Sequence, residues 1–192
     1  MEASLSTKRR RSQRGFTLLE TLASIAILSI GLLALAGLMS QTTSSSSRSR
    51  YMSAASILAT QKLEDLNRYP KSDPMVAIAG ASAGSLTADA TSGSINYYDD
   101  VDISAVGGSI TETTSDSSGN FNTFVQQPDG TIATTSSATK PAPPPETLQF
   151  HRRWTIEKDV PVAGVRRVTV YVQLVNPPVA KIVTFQISTV RP

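Results

Sequence analysis

From Phe16 to Met39 the chain runs for 24 residues with a single charge, Glu20, and the stretch TLASIAILSIGLLALAGLM (Thr21 to Met39) carries none. At 1.5 Å of rise per residue, a helix over this segment spans about 36 Å, more than the roughly 30 Å of a bilayer core. Lys8, Arg9, Arg10, Arg11 and Arg14 precede it, and no further cation appears until Arg48. The positive-inside bias then holds the N-terminus in the cytoplasm and exports the remainder. Those five cations also account for the net charge of +3, since the chain beyond them has one more acid than base. The body therefore has no broad polyphosphate-binding charge. The 192 residues include no Cys and one His. Disulfides, thiolate catalysis and Cys-ligated zinc are excluded, and a His-based triad or His-rich metal site is argued against.

Three kinds of segment have this outline. A secretory signal peptide has a basic start and an apolar middle, and Ala34-Leu35-Ala36 offers a cleavage site. A single-pass anchor needs only the apolar run. The third is a leader cut before Phe16. Glu20 discriminates, because a carboxylate inside an apolar segment costs a few kcal/mol and usually has a functional partner. Neither of the first two needs it. Gly15-Phe16-Thr17-Leu18-Leu19-Glu20, after a short basic leader and before an uncharged run, resembles the processing site of type IV pilin and pseudopilin precursors. That resemblance implies cleavage by prepilin peptidase after Gly15 and N-methylation of the new terminal residue, Phe16. It also implies a role in assembly for Glu20, whose carboxylate lies one helical turn from the new α-amine and can neutralise it or pair with the amine of the next subunit. The bland alternative is that Glu20 snorkels to the headgroups.

The first proline is Pro70, so the helix is expected to run from Phe16 to about Arg68. Thr42-Thr43 and Ser44 to Ser47 are poor helix formers and are expected to weaken it. Many major pilins carry a proline early in this segment; its absence here is more like a minor pilin. Beyond the serines, Met52, Ala55, Ala59, Leu63 and Leu66 recur at three and four and define one apolar face, with Ser53, Thr60, Glu64, Asp65 and Arg68 opposite. The stretch AASILATQKLEDLNR (Ala54 to Arg68) is similar to the corresponding segment of PilV-type minor pilins.

Residues 71–147 are rich in Gly, Ser, Thr, Ala and Asp. Ile95 to Ile103 and Phe121 to Gln127 suggest short strands, Asp116 to Asn120 a turn, and Pro141 to Pro145 an extended polyproline spacer. Asp99, Asp100 and Asp102 raise the question of calcium, but they lack the ligand spacing of an EF-hand and read better as a solvated acidic turn. The last 45 residues hold three runs rich in β-branched residues: Gln149 to Lys158, Val165 to Val175 and Val179 to Thr189. Asp159 to Gly164 and Asn176-Pro177-Pro178 supply turns between them. Val168, Val170, Val172 and Leu174 share one face of the middle run, and Val183, Phe185 and Ile187 one face of the last; both faces are expected to meet the helix. RRWTIEKDVPVAGVRRVTVYVQ resembles the terminal hairpin of PilV-type proteins.

No catalytic constellation emerges. His151 has no carboxylate at motif spacing and reads as a surface strand residue, while Trp154 reads as core. Arg152-Arg153 and Arg166-Arg167 invite a nucleic-acid reading, but strand neighbours point to opposite faces. Only an alignment of Arg153 with Arg166 across a hairpin would build a patch, so a DNA-binding or adhesin role is the weaker alternative.

Together these readings predict an α+β, type IV pilin-like fold, with a long N-terminal helix packed on a C-terminal antiparallel sheet. The expected segments are a leader (1–15), a transmembrane and filament-core helix (16–48), an amphipathic helix (49–70), a variable region (71–147) and a sheet (148–192). The expected function is that of a minor, PilV-like pilin rather than an enzyme, with no cofactor. A type II secretion pseudopilin is the close alternative, since it shares leader, helix and sheet. The implied partners are prepilin peptidase, other pilin and minor pilin subunits, and the pilus assembly machinery. The implied location is the inner membrane first, then a pilus or periplasmic pseudopilus.

Overall fold

The computed structural model describes residues 17–87, 97–104, 107–116, 118–144, 146–176 and 182–192. One helix, α1 (Leu18–Arg68), is followed by eight strands: β1 (Ser82–Gly84), β2 (Tyr98–Ser104), β3 (Ile110–Ser115), β4 (Phe121–Gln126), β5 (Ile132–Ser137), β6 (Thr147–Lys158), β7 (Arg166–Leu174) and β8 (Thr184–Arg191). The fold is α+β, a long N-terminal helix and an antiparallel sheet, as in type IV pilins. The chain divides into two compact units after Ser44.

The weak helix formers at 42–49 are helical. Their hydroxyls are turned back on the helix: Thr42 Oγ1 donates to the Leu38 carbonyl at 2.9 Å, Thr43 Oγ1 to Met39 at 2.9 Å and Ser49 Oγ to Ser45 at 3.1 Å. This satisfies each side chain locally and removes its competition for the backbone.

In the second unit the expected face of α1 is buried. Ala55, Leu58, Ala59, Leu63 and Leu66 form one core with Val101, Phe150, Trp154, Ile156, Val168, Val170, Val172, Leu174 and Val183. Met52, Phe185 and Ile187 pack at its margin. Trp154 is fully buried and donates from Nε1 to the Met75 carbonyl at 3.4 Å, and Tyr97 meets it edge-on at 6.3 Å. At Gly84 (φ 85°) a Cβ would stand 2.2 Å from the Trp154 carbonyl oxygen, so that strand position requires glycine. Arg191 at the end of β8 donates to the carbonyls of Leu66 and Tyr69, both at 2.9 Å, and so closes the C-terminus of α1.

The sheet is larger than the sequence suggested. Its order is β5-β4-β3-β2-β6-β7-β8, with β1 also paired to β6. The region 71–147 thus supplies five of the eight strands, where its sequence suggested two. ITETTS and IATTSS are polar, yet threonine is β-branched and pairs well on a half-exposed sheet. Asp116 forms the turn between β3 and β4, its Oδ1 accepting from Ser118 and Asn120. Asn176 ties the β7 end to β6, accepting from the Gln149 amide at 2.9 Å and donating to the Thr147 carbonyl at 3.1 Å. Pro177 and Pro178 of the expected turn lie outside the described residues.

Asp99, Asp100 and Asp102 are not a solvated turn. All three lie in β2 and are buried. Asp99 faces α1, where it joins Lys62, Arg152 and Glu112. Arg152 grips it with two bonds, Nε to Oδ1 at 2.6 Å and Nη2 to Oδ2 at 2.9 Å. Lys62 Nζ lies 2.6 Å from Asp99 Oδ2 and 3.4 Å from Glu112 Oε1, and Arg152 Nη2 lies 2.8 Å from Glu112 Oε1. Lys62 also sits 4.5 Å from the centre of the Trp154 ring. Two cations face two anions, so burial leaves no net charge. Burial alone would raise the Asp99 carboxyl, but Arg152 and then Lys62 outweigh it and hold the group at about 2. Burial likewise opposes the Arg152 charge, and Asp99 overrides it and raises its pKa.

Two predictions follow from this packing. Asp99→Asn leaves two buried cations facing Glu112 alone and should destabilise the body by about 3–5 kcal/mol in denaturant titrations. Because the folded pKa of Asp99 lies below its unfolded value of 3.8, its contribution is present above that value and lost as pH falls toward 2. The stability gap between wild type and the variant should therefore narrow below pH 3.8. Separately, a fragment from Ser49 onward retains the buried residues of α1 and should be soluble, folded and monomeric by circular dichroism and size exclusion. Aggregation of the folded fragment would contradict the division between an apolar and an amphipathic half.

Candidate functional site

The first unit presents a helix that nothing in the described chain covers. Twelve large apolar side chains between Leu18 and Met39 are exposed, from Leu35 at 57% to Leu18 and Leu19 at 79%. Removing them from water is worth on the order of 20–35 kcal/mol at 1.5–3 kcal/mol each. That exceeds by far the few kcal/mol that one embedded carboxylate costs. The polar residues within the run are compatible with an apolar medium, because each donates to the backbone of its own helix. Thr21 Oγ1 bonds the Leu18 carbonyl at 2.8 Å, Ser24 Oγ bonds Glu20 at 2.8 Å and Ser29 Oγ bonds Ile25 at 2.7 Å.

Glu20 lies in the first turn of α1. Thr17 caps this turn: its carbonyl accepts from the amides of Glu20 (3.0 Å) and Thr21 (3.2 Å), and its Oγ1 accepts from the Glu20 amide at 3.3 Å. Thr17-Leu18-Leu19-Glu20 thus has the T-x-x-E spacing of a capping box, of which the Thr17 half is formed, a signal present in the sequence and not used in its reading above. A carboxylate here also meets the positive end of the helix dipole. Gly15 and Phe16 lie outside the described residues.

The other candidates are drawn apart by strand alternation. Asp99 and Arg152 face the helix, whereas Asp100, Asp102, His151 and Arg153 face the opposite side of the sheet. No common ion site can include all three aspartates. His151, read as having no carboxylate partner, has one from the neighbouring strand: its Nε2 lies 3.3 Å from Asp100 Oδ1. Asp100 also accepts from the Tyr98 hydroxyl at 2.5 Å and pairs with Lys140. Burial, then the Asp100 charge, pushes the Asp102 carboxyl up to about 6, against the pull of Lys140.

The arginine pairs form no basic patch. Arg152 and Arg153 are buried. Arg153 stands opposite Tyr171 and not Arg166, which faces Lys158 and Arg191 in register. Arg166 is spent on the carbonyls of Lys71 and Val76, both at 3.2 Å. Arg167 is paired with Glu157 at 2.7 and 3.0 Å. These contacts engage Arg152, Arg166 and Arg167 within the fold, so neither doublet is held as a pair for a nucleic-acid phosphate.

Residues 10–36 match the family model described as the prokaryotic N-terminal methylation motif. No curated protein and no solved structure shows significant similarity to the chain. The match covers the end of the basic leader from Arg10, the Gly15-Phe16 step, Glu20 and most of the apolar run. Taken with the uncovered helix and the antiparallel sheet, it supports a type IV pilin or pseudopilin-type structural protein, anchored in a membrane through that helix.

Proposed function

We propose that the chain is a minor type IV pilin of the PilV kind, cut by prepilin peptidase after Gly15, N-methylated on Phe16 and incorporated into a pilus to prime or modify its assembly. The observation that carries the proposal is the apolar helix from Leu18 to Met39, exposed along its length and headed by one carboxylate. A monomer can cover it only with lipid; a filament can cover it with copies of the same helix. Such contacts are heterologous and propagate instead of closing. The minor-pilin assignment draws on the PilV-like stretches Ala54 to Arg68 and Arg152 to Gln173, and on the lack of a proline before Pro70.

In this reading the peptidase exposes a charged α-amine at Phe16, and Glu20 compensates it in the filament core. At about 4 Å and an effective dielectric near 20, the pair is worth roughly 4 kcal/mol before desolvation. That is enough to select one axial register among apolar helices that otherwise slide. The small residue at position 15 leaves the scissile peptide uncrowded.

Variants at Glu20 test the proposal, with sheared filaments and membranes probed separately. Glu20→Ala should leave cleavage and membrane insertion intact while depleting the protein from the filament fraction. Glu20→Gln keeps the shape and hydrogen-bonding capacity but not the charge, so it should fail like Ala if ion pairing sets the register. Normal incorporation of Gln with failure of Ala would instead assign the role to hydrogen bonding or shape. Normal incorporation of both would remove Glu20 from assembly. Recovery of the wild-type protein only with secretion components, and never in surface pili, would favour a pseudopilin.

A further inference from the structure

The sheet is open at both ends. Among the described residues no strand pairs with the outer edge of β5 or of β8. Such an edge offers unpaired amides and carbonyls, and soluble proteins usually guard it with charge, proline or a bulge. On β5 these guards are missing: Gly130 to Thr139 contain neither a charge nor a proline, and IATTSS is exposed along almost its whole length. On β8 the one charge is Arg191 at its end, and that side chain is turned onto the carbonyls of α1.

The two edges fit each other. From β5 to β8 the path counts seven strands, each antiparallel to the next, so the edge strands run in the same direction. The Gln127 amide donates to the Thr131 carbonyl at 2.9 Å, and the Leu174 amide to the Val183 carbonyl at 3.0 Å. Counted in register from these pairs, Ile132, Thr134 and Ser136 turn their amides and carbonyls outward on β5, as do Thr184, Gln186, Ser188 and Val190 on β8. The side chains of the β5 set lie on the face toward α1, and those of the β8 set on the opposite face. In a parallel ladder a residue with outward groups stands opposite one whose groups point inward. Gln186 and Ser188 would therefore stand opposite Ala133, Thr135 or Ser137, which share their face. Direction, hydrogen bonding and side-chain face all agree.

We propose that β8 of one copy pairs in parallel with β5 of the next, so that the sheet continues from chain to chain where copies stand side by side in a membrane. Pairing of like edges does not suit such copies. A β5-to-β5 ladder needs a two-fold axis perpendicular to the sheet, and the helix lying against that sheet would then run antiparallel to its mate. Copies inserted through the same helix run their helices the same way. The helix-facing side of the β3–β5 hairpins adds a second contact. There Ile110, Phe124 and Ile132 line a groove of about 260 Å³, with Phe124 39% and Ile132 65% exposed. Set beside a neighbour's β8, this groove meets Phe185 and Ile187 at the margin of the neighbour's core. The contact is heterologous and does not close. A parallel ladder this short is weak and depends on the anchors to keep copies together, so a body freed of its apolar helix stays monomeric. The inference rests on the membrane anchor and not on the PilV-like assignment.

Disulfide cross-linking of the full-length chain in membranes tests the pairing, since the sequence has no Cys of its own. Within one chain the two edges lie six strand spacings apart, about 29 Å, too far for a disulfide, so any link joins two chains. Oxidation of Thr135→Cys/Gln186→Cys, Ala133→Cys/Gln186→Cys and Thr135→Cys/Ser188→Cys should give a ladder of dimers and higher species in at least one register. Each single-cysteine variant should remain monomeric. Thr134→Cys/Gln186→Cys, with its cysteines on opposite faces, should give no ladder. Thr134→Pro removes an outward amide and leaves the β4–β5 bonds in place, so adding it to a linking pair should abolish the ladder. Should that variant misfold by protease sensitivity, the contrast between cysteines at 135 and at 134 decides. No ladder in any register, dimers from a single-cysteine variant, or links only to a different protein would overturn the pairing. Carbonate extraction of the same membranes reads the anchor separately: a chain that stays in the pellet without cross-linking overturns the pairing and leaves the anchor standing.

Discussion

No described residue covers the apolar first half of α1, and the way that surface is hidden governs everything else about this protein. Twelve large hydrophobic side chains from Leu18 to Met39 are exposed. The medium must supply the cover, whether acyl chains or neighbouring helices. Hydroxyls within the run bond back to the helix, so the segment presents apolar surface with little polar demand. Glu20 is the exception. Its backbone amide closes the Thr17 cap, while its carboxylate is left to meet the positive end of the helix or a positive charge brought to it.

The second half of the helix solves a different problem. It must hold a sheet in water, and does so with an apolar core and one ionic cluster within it. Lys62 occupies the helix face among Leu58, Leu63 and Leu66, where a lysine on its own would be destabilising. Asp99 and Arg152, adjacent in register on β2 and β6, convert it into a balanced four-charge group with Glu112. Such clusters add little net stability over a well-packed apolar core, but they penalise every misregistered arrangement in which one member is left unpaired. On this argument the cluster fixes which turn of the helix meets which pair of strands.

Much of this was legible in the sequence. The apolar run, the amphipathic face through Ala55, Ala59, Leu63 and Leu66, the core role of Trp154 and the alternating faces of the last two strands all follow from hydrophobic periodicity. The polar strands β3 and β5 were not legible, because their threonines and serines carry no apolar alternation and are held by pairing with strands far along the chain. The same nonlocality hid the partners of the charged residues. Asp99 and Arg152 are 53 positions apart, and nothing in either neighbourhood announces the other. Conversely, the basic doublets that stood out in the sequence dissolve once alternation and register assign each arginine its own partner.

Processing of the apolar helix at its head, followed by its burial in an assembly, can be read from the intact mass of the protein recovered from membranes and sheared filaments. The mature chain should begin at Phe16 and be one methyl group heavier than its unmodified sequence. A mature chain beginning at Gly37, released by cleavage after Ala36, would contradict it, as would an uncut chain still carrying its basic leader.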